Sequence, residues 1–287
     1  MAASSLVLLI VVFLAGHVVV PRLVHEVTWG LSERGLTATL PWERTSPFPV
    51  LIYIICHDNA SEAAAFAGFS RYAWARVERV MTSPLFENEI FLRAGELSRR
   101  DDWSSRAFVG TLSYRAFEKH RSLRFYVERK IWALARADVK SAETPDAVSF
   151  LSEGAPSLFG GDSALDHPGF ASVWNSTVCD IDRRLCLPFR AWYCNYWVAR
   201  PEHWLAFADW LQLSALPRLI LDNRLTDTSQ VMYVIGSSIR PPSEDMLRVG
   251  MQQFPLMPFV LERLPGAYFQ HIHTGLYLQG TQWPQSQ

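Results

Sequence analysis

Five short stretches of the chain carry side chains that could bind or transform a small molecule. Asp180-Ile181-Asp182 is a D-x-D triplet, and two hard carboxylates on one loop are donors that Mn or Mg accepts when it bridges a diphosphate. Arg183 and Arg184 follow at once, so a solvated, self-neutralised charge cluster is the competing and commoner meaning. Glu262-Arg263 sets a carboxylate beside a guanidinium inside the apolar run Val260 to Pro265. Charges survive burial only as pairs, so these two are either a structural ion pair or a base next to a phosphate-binding cation. His57-Asp58 closes the run Val50 to Cys56 and reads either as the polar cap of the next helix or as part of a site. Trp192 to Trp197 (WYCNYW) joins aromatic faces to the Asn195 amide, which suits a core and suits a sugar ring. His271-x-His273 would present two imidazoles on one face of a strand. A third metal ligand is not apparent nearby, so a surface or partly buried pair is the ordinary reading.

These groups act only where the fold gathers them, and the composition is that of a folded body. Of 287 residues, 49% are apolar and 13% aromatic, which excludes a disordered tail, a collagen-like fibre and a charged solenoid. Lys+Arg total 27 against 28 Asp+Glu, a formal charge of −1, and without a basic run nucleic acid is not expected as a partner. Residues 1–27 hold the long apolar run Leu6 to Val20, broken by Gly16 and His17. As a helix it would reach about 22 Å, short of the roughly 30 Å of a bilayer core. A signal anchor is expected, with a removable signal peptide and secretion as the alternative. Arg22 and Arg34 follow the run and nothing basic precedes it, which by the positive-inside rule would set the body on the cytoplasmic side. Cys179 and Cys186 could pair if the body is lumenal, where Asn59 and Asn175 would also be formal glycosylation acceptors.

Residues 28–49 form a polar stem or linker, and 50–287 one body. Val50 to Cys56 is a continuous β-branched and aromatic run, the pattern of a buried parallel strand that delivers His57 and Asp58 at its carboxyl end. Ser61, as N-cap, opens a helix to Ala75, and a second strand lies around Val77 to Met81. Phe108 to His120 reads as a short strand, a Gly110-Thr111 turn and then Tyr114-Arg115 leading into a helix through Ala135. Asp146 to Leu151 is a third strand, and the Gly/Pro/Ser/Asp-rich Ser152 to Gly169 a long loop. Arg190 to Gln212 begins extended and turns helical after Pro201, a suitable first helical position. The apolar run around Glu262 is closed by Leu264-Pro265. Alternating strands and helices predict an α/β fold with a mainly parallel sheet, in which ligands sit beyond the carboxyl ends of the strands. No G-x-G-x-x-G, P-loop or G-x-S-x-G follows a strand, which weighs against a dinucleotide oxidoreductase, an NTPase and a serine hydrolase.

Four blocks, IYIICHDN, FVGTLSYRAFEKH, YCNYWVARPEHWLAF and PFVLERLPGAYF, resemble in order and spacing the landmarks of glycosyltransferases of algae and large algal viruses. They are also similar to the DUF4422-type glycosyltransferases, where VG-x-x-HYRR stands opposite VGTLSYR. The resemblance covers about Val50 to Phe269. It implies a GT-A fold, a Rossmann-like sheet binding a nucleotide-sugar donor at the carboxyl ends of its first strands and a glycan or glycoconjugate acceptor in the C-terminal half. Transferred by position, it sets His57 and Asp58 near the nucleotide and Thr111, Tyr114 and Arg115 along the donor pocket. Asn195, Tyr196 and Trp197 would face sugar or acceptor, and Glu262 and Arg263, with Asp58, would serve catalysis. Ser113 departs from the family's His. The implied metal is Mn or Mg, with Asp180 and Asp182 as weak candidates for its ligands, and no organic cofactor is expected. The N-terminal segment would make this a single-pass ER or Golgi membrane protein. The rival reading is a non-catalytic carbohydrate-binding or scaffolding protein of the same fold. A sugar hydrolase would need paired carboxylates across a cleft, and no convincing pair stands out.

Overall fold

In the computed structural model the described residues are 47–80, 85–119, 123–152, 155–158, 169–226, 234–235, 238–239 and 256–282. All but Pro47 belong to the compact unit Phe48–Gln287. The apolar run Leu6 to Val20, most of the stem and most of the 152–169 loop lie outside them. Among the described residues no helix is long and apolar enough to cross a membrane.

The sheet is built on β1 (Val50–Cys56), in which every residue is buried. A strand hidden on both faces needs no polar alternation, which is why its sequence is uniformly apolar. Leu51, Tyr53 and Ile55 point into one large apolar cluster, while Val50, Ile52 and Ile54 are buried on the opposite face. Helix α1 (Asn59–Phe69) returns the chain to β2 (Ala75–Arg79). Ser61 is not its N-cap. Asp58 is, its Oδ1 accepting from the Ser61 backbone N–H at 2.6 Å while the Ser61 Oγ accepts from the Asp58 N–H at 2.9 Å, a reciprocal capping box.

A 3₁₀ segment (Phe86–Arg93) leads into helix α2 (Ala94–Arg100) and strand β3 (Phe108–Ser113). The expected turn at Gly110-Thr111 does not exist, because β3 runs straight through it. Gly110 is required by its neighbour instead. A Cβ there would collide with the Trp197 carbonyl oxygen and come within 2.8 Å of Val198 Cα. Helix α3 (Leu123–Arg136), β4 (Ala147–Ser152), β5 (Trp197–Ala199) and helix α4 (Pro201–Trp210) follow, with Pro201 at the first turn as its type suggests.

A small hairpin pairs β6 (Val234–Ile235) with β7 (Ser238–Ile239). Helix α5 (Met257–Ala267) and β8 (Leu278–Gln282) end the described chain. Pro265 does not stop α5, which continues into a wide π turn, Tyr268–Ile272. The Gln270 amide there donates to the Gly266 carbonyl at 2.7 Å and the Arg190 carbonyl at 2.9 Å, so backbone disturbed around the proline finds partners. His271 and His273 therefore lie at the end of a helical segment, not on a strand. His271 Nε2 meets the Pro188 carbonyl at 3.1 Å, and His273 Nε2 meets His203 Nδ1 at 2.9 Å.

The sheet order is β2-β1-β3-β5-β4-β8. Only β5 runs antiparallel, between β3 and β4, so the expected mainly parallel α/β sheet flanked by helices is present. Side chains of α2, α4 and α5 share the cluster that holds Leu51, Tyr53 and Ile55. Helices α1 and α3 pack against β1 with buried residues outside that cluster. The cluster is strongly aromatic, with Trp197, Trp204 and Phe207 around Phe91 and Phe269 against Trp197, and such rings contribute by both burial and geometry.

Candidate functional site at the carboxyl edge of the sheet

Strand β1 has parallel neighbours on both sides, β2 and β3. The chain leaves β1 toward one side and later returns on the other, so the connections diverge beyond the carboxyl ends of β1 and β3, where open α/β sheets carry their ligand crevice. The register pairs Ile55 with Ser113, and the Tyr114 N–H donates to the Ile55 carbonyl at 3.1 Å. His57 and Asp58 thus emerge beside Tyr114 and Arg115. Because β5 is antiparallel and Thr111 pairs with Trp197, Asn195 and Tyr196 enter the sheet at this same edge. The Thr111 hydroxyl donates to the Asn195 carbonyl. Across the crevice, the Asn195 amide Nδ2 donates to Asn88 Oδ1 at 2.9 Å, which brings in the 3₁₀ segment.

Helix α5 packs against that segment and supplies Glu262 and Arg263. The Arg263 guanidinium donates to Glu262 at 3.2 Å and lies 4.3 Å from the centre of the Tyr193 ring. Only 6% of the Arg263 side chain is exposed, so carboxylate and aromatic face stand in for the water it has lost. The Tyr196 hydroxyl is driven well above the usual phenol range, first by burial and then by the neighbouring Cys194, Glu87 and Glu262 side chains. Ser113 adjoins that hydroxyl and acts in the opposite direction, but no well-formed hydrogen bond joins the two. The backbone is irregular here as well. Phe86, Cys194 and Asn195 have φ of 49°, 58° and 54°, a left-handed conformation that costs a side-chain-bearing residue energy and clusters at functional sites.

The edge therefore brings together His57, Asp58, Tyr114, Arg115, Asn195, Tyr196, Glu262 and Arg263. Their availability differs. Arg115 is exposed and pairs with Glu118 at 3.1 Å. Asp58 is committed in part to capping α1. Thr111 is wholly buried and holds the Asn195 backbone, a supporting place and not a lining one. Trp197 is wholly buried and stacked 5.7 Å from Phe91, so it presents no face to a sugar. Only the hydroxyl end of the buried Tyr196 comes into question.

Asp180 and Asp182 form no part of this edge. They sit within the loop closed by the Cys179–Cys186 disulfide. Asp182 caps the 3₁₀ turn that follows and pairs with Arg184 at 2.7 Å, and Asp180 lies 3.6 Å from Arg183. Hydrogen bonding from Arg184 holds the Asp182 carboxyl below its usual range. The expected ligand set for Mn or Mg does not fit a metal, since its carboxylates already have arginine partners. Among the described residues no group of three or more His, Cys, Asp or Glu side chains is arranged to hold a metal ion.

Tyr193 and Cys194 of the WYCNYW run belong to the edge too, and so do Glu87 and Asn88, which no pattern singled out. FENEIF around Glu87 looks like any solvated turn, and only the contact between Asn88 and Asn195, 107 residues apart, reveals its place. Comparison of the chain with protein-family models, curated proteins and solved structures finds no match.

Proposed function

We propose that this protein is a GT-A-type glycosyltransferase that moves a sugar from a nucleoside-diphosphate-sugar donor to a hydroxyl of a glycan or glycoconjugate. The observation that carries the reading is the topological switch point between β1 and β3, where Tyr114 bonds to Ile55 and Thr111 holds Asn195. Crevices at such points accommodate nucleotides in open α/β sheets. Glu262 takes the proton of the acceptor hydroxyl as its oxygen attacks the anomeric carbon. The bond to the diphosphate breaks with its electron pair on the leaving oxygen, and Arg115 and Arg263 are the cations suited to offset that charge. The Cys179–Cys186 disulfide supports a place in the oxidising secretory pathway, in keeping with an ER or Golgi membrane protein whose body is lumenal.

The test is donor turnover by the full chain across UDP- and GDP-sugars. Glu262→Gln should lower kcat at least a hundredfold, within the usual contribution of a general base, in protein whose melting curve shows it folded at the assay temperature. Donor binding without turnover in the wild-type protein would favour the non-catalytic carbohydrate-binding reading. Neither binding nor turnover would overturn the proposal.

A further inference from the structure

The body holds two N-x-[ST] triplets, Asn59-Ala60-Ser61 and Asn175-Ser176-Thr177, and the structure gives them different surroundings. An N-linked glycan asks two things of such a triplet: an asparagine amide nitrogen to carry it, and a hydroxyl two residues on that the transferring enzyme recognises.

At the first triplet the hydroxyl is taken up at short range. Ser61 Oγ accepts the backbone N–H groups of His57 and Asp58 at 2.9 Å and donates to the Asp58 carbonyl at 3.0 Å, and Ser61 is only 5% exposed. Asn59 Oδ1 in turn accepts from Arg79 at 2.7 Å. The capping box needs no later part of the chain, and a helical turn forms within about a microsecond.

At the second triplet the turn is anchored from either side. Trp174 and Val178 are wholly buried, and the Trp174 indole N–H donates to the Leu185 carbonyl at 3.0 Å. Asn175 and Ser176 between them are exposed, so a substituent on Asn175 displaces no packing. The Thr177 hydroxyl does find partners in the folded protein, donating to Asp222 and accepting from Arg224. Those partners come much later in the chain, Asp222 by 45 residues. At the usual pace of synthesis Asp222 follows Thr177 by roughly 2 to 9 s, an interval in which the hydroxyl is open to recognition. The same segment carries the Cys179–Cys186 disulfide, a bond that persists in the oxidising compartments where such glycans are found.

We propose that Asn175 carries an N-linked glycan and that Asn59 stays bare. Asn175 Nδ2 attacks the anomeric carbon of a polyprenol-diphosphate oligosaccharide. The new C–N bond forms as the C–O bond to the diphosphate breaks with its electron pair on the departing oxygen, and one amide proton passes to a base of the transferring enzyme. The proposal rests on the lumenal body given under the proposed function and not on the transferase chemistry. A bare Asn59 nevertheless suits that chemistry, because Asn59 directly follows Asp58 at the carboxyl edge.

Translation of the full chain in the presence of ER-derived microsomes tests it. Glycosidase treatment should remove one glycan per chain, and peptide mass spectrometry should place it on Asn175. Asn175→Gln and Thr177→Ala should abolish the mobility shift, Thr177→Ser, which keeps a hydroxyl, should retain it, and Asn59→Gln should leave it unchanged. A glycan on Asn59, or a bare Asn175, overturns the proposal. Protease added outside intact microsomes separates the causes. A body that is protected yet bare at Asn175 refutes the glycan alone, whereas a digested body refutes the lumenal placement and the glycan with it. Donor turnover, measured on the same chain, stands or falls independently of both.

Discussion

Asp58 shows how one side chain can satisfy two descriptions. It sits at the end of the central strand where a nucleotide would lie, and its carboxylate already accepts the Ser61 N–H at 2.6 Å. A cap of this kind contributes about 1 kcal/mol, and it ties one carboxylate oxygen to the helix backbone. Asn caps a helix nearly as well as Asp but carries no charge, so two substitutions separate the roles. Asp58→Asn should preserve the melting temperature and lower donor turnover no more than about threefold, because the cap geometry persists. Asp58→Ala should lose about 1 kcal/mol of stability, measured by urea unfolding, with a parallel loosening of His57 and of donor affinity. A hundredfold loss of turnover in Asp58→Asn at unchanged stability would restore the catalytic role that position alone suggested.

At the scale of elements, what could be read in advance was what local sequence controls. Val50 to Cys56 declared itself as a buried strand because both of its faces are covered and it needs no polar side chain. Pro201 marked the start of α4 because its fixed φ suits a first turn. The failures share a different cause. Gly110 looked like a turn because a glycine's local meaning is flexibility, whereas its actual duty is to admit β5, a strand of three residues too short to announce itself. Pro265 looked like a stop because nothing local shows that Gln270 will serve the carbonyls around it. Asn88 was silent for the same reason. Gly110→Ala tests the first point. The added methyl meets backbone, not a flexible side chain, so β3 and β5 must separate, and a loss of about 2 to 3 kcal/mol is expected from overpacking. Urea midpoints measure it. A loss below about 0.5 kcal/mol, the range of an innocuous substitution, would show that the strands have room.

The sheet has two ends, and the whole molecule divides its work between them. At the amino edge, Asp146 before β4 ties three strands together. Its carbonyl accepts the Arg200 N–H after β5 at 2.9 Å, its N–H donates to the Tyr277 carbonyl before β8 at 2.8 Å, and its carboxylate pairs with Arg200 at 2.9 Å. His203 extends this clasp to His273 through the 2.9 Å contact between ring nitrogens. Burial pushes the His203 pKa below its ordinary value, with His273 and Arg200 acting in the same direction and Glu202 and Asp146 opposing it. The folded state thus binds a proton at His203 less readily than the unfolded chain, whose histidine titrates near pH 6.5. Stability is therefore full above that pH and declines as pH falls through it. Urea midpoints should drop between pH 7.5 and pH 5.5, and the drop should shrink in His203→Gln, which has no charge to acquire. An equal drop in both proteins would locate the titration elsewhere. Because the clasp and the crevice lie at opposite ends of the same strands, donor affinity at each pH where the protein remains folded should not follow the midpoint. Affinity that fell in step with stability would mean that the two edges are coupled through β4 and β5, and that the amino edge helps to shape the site.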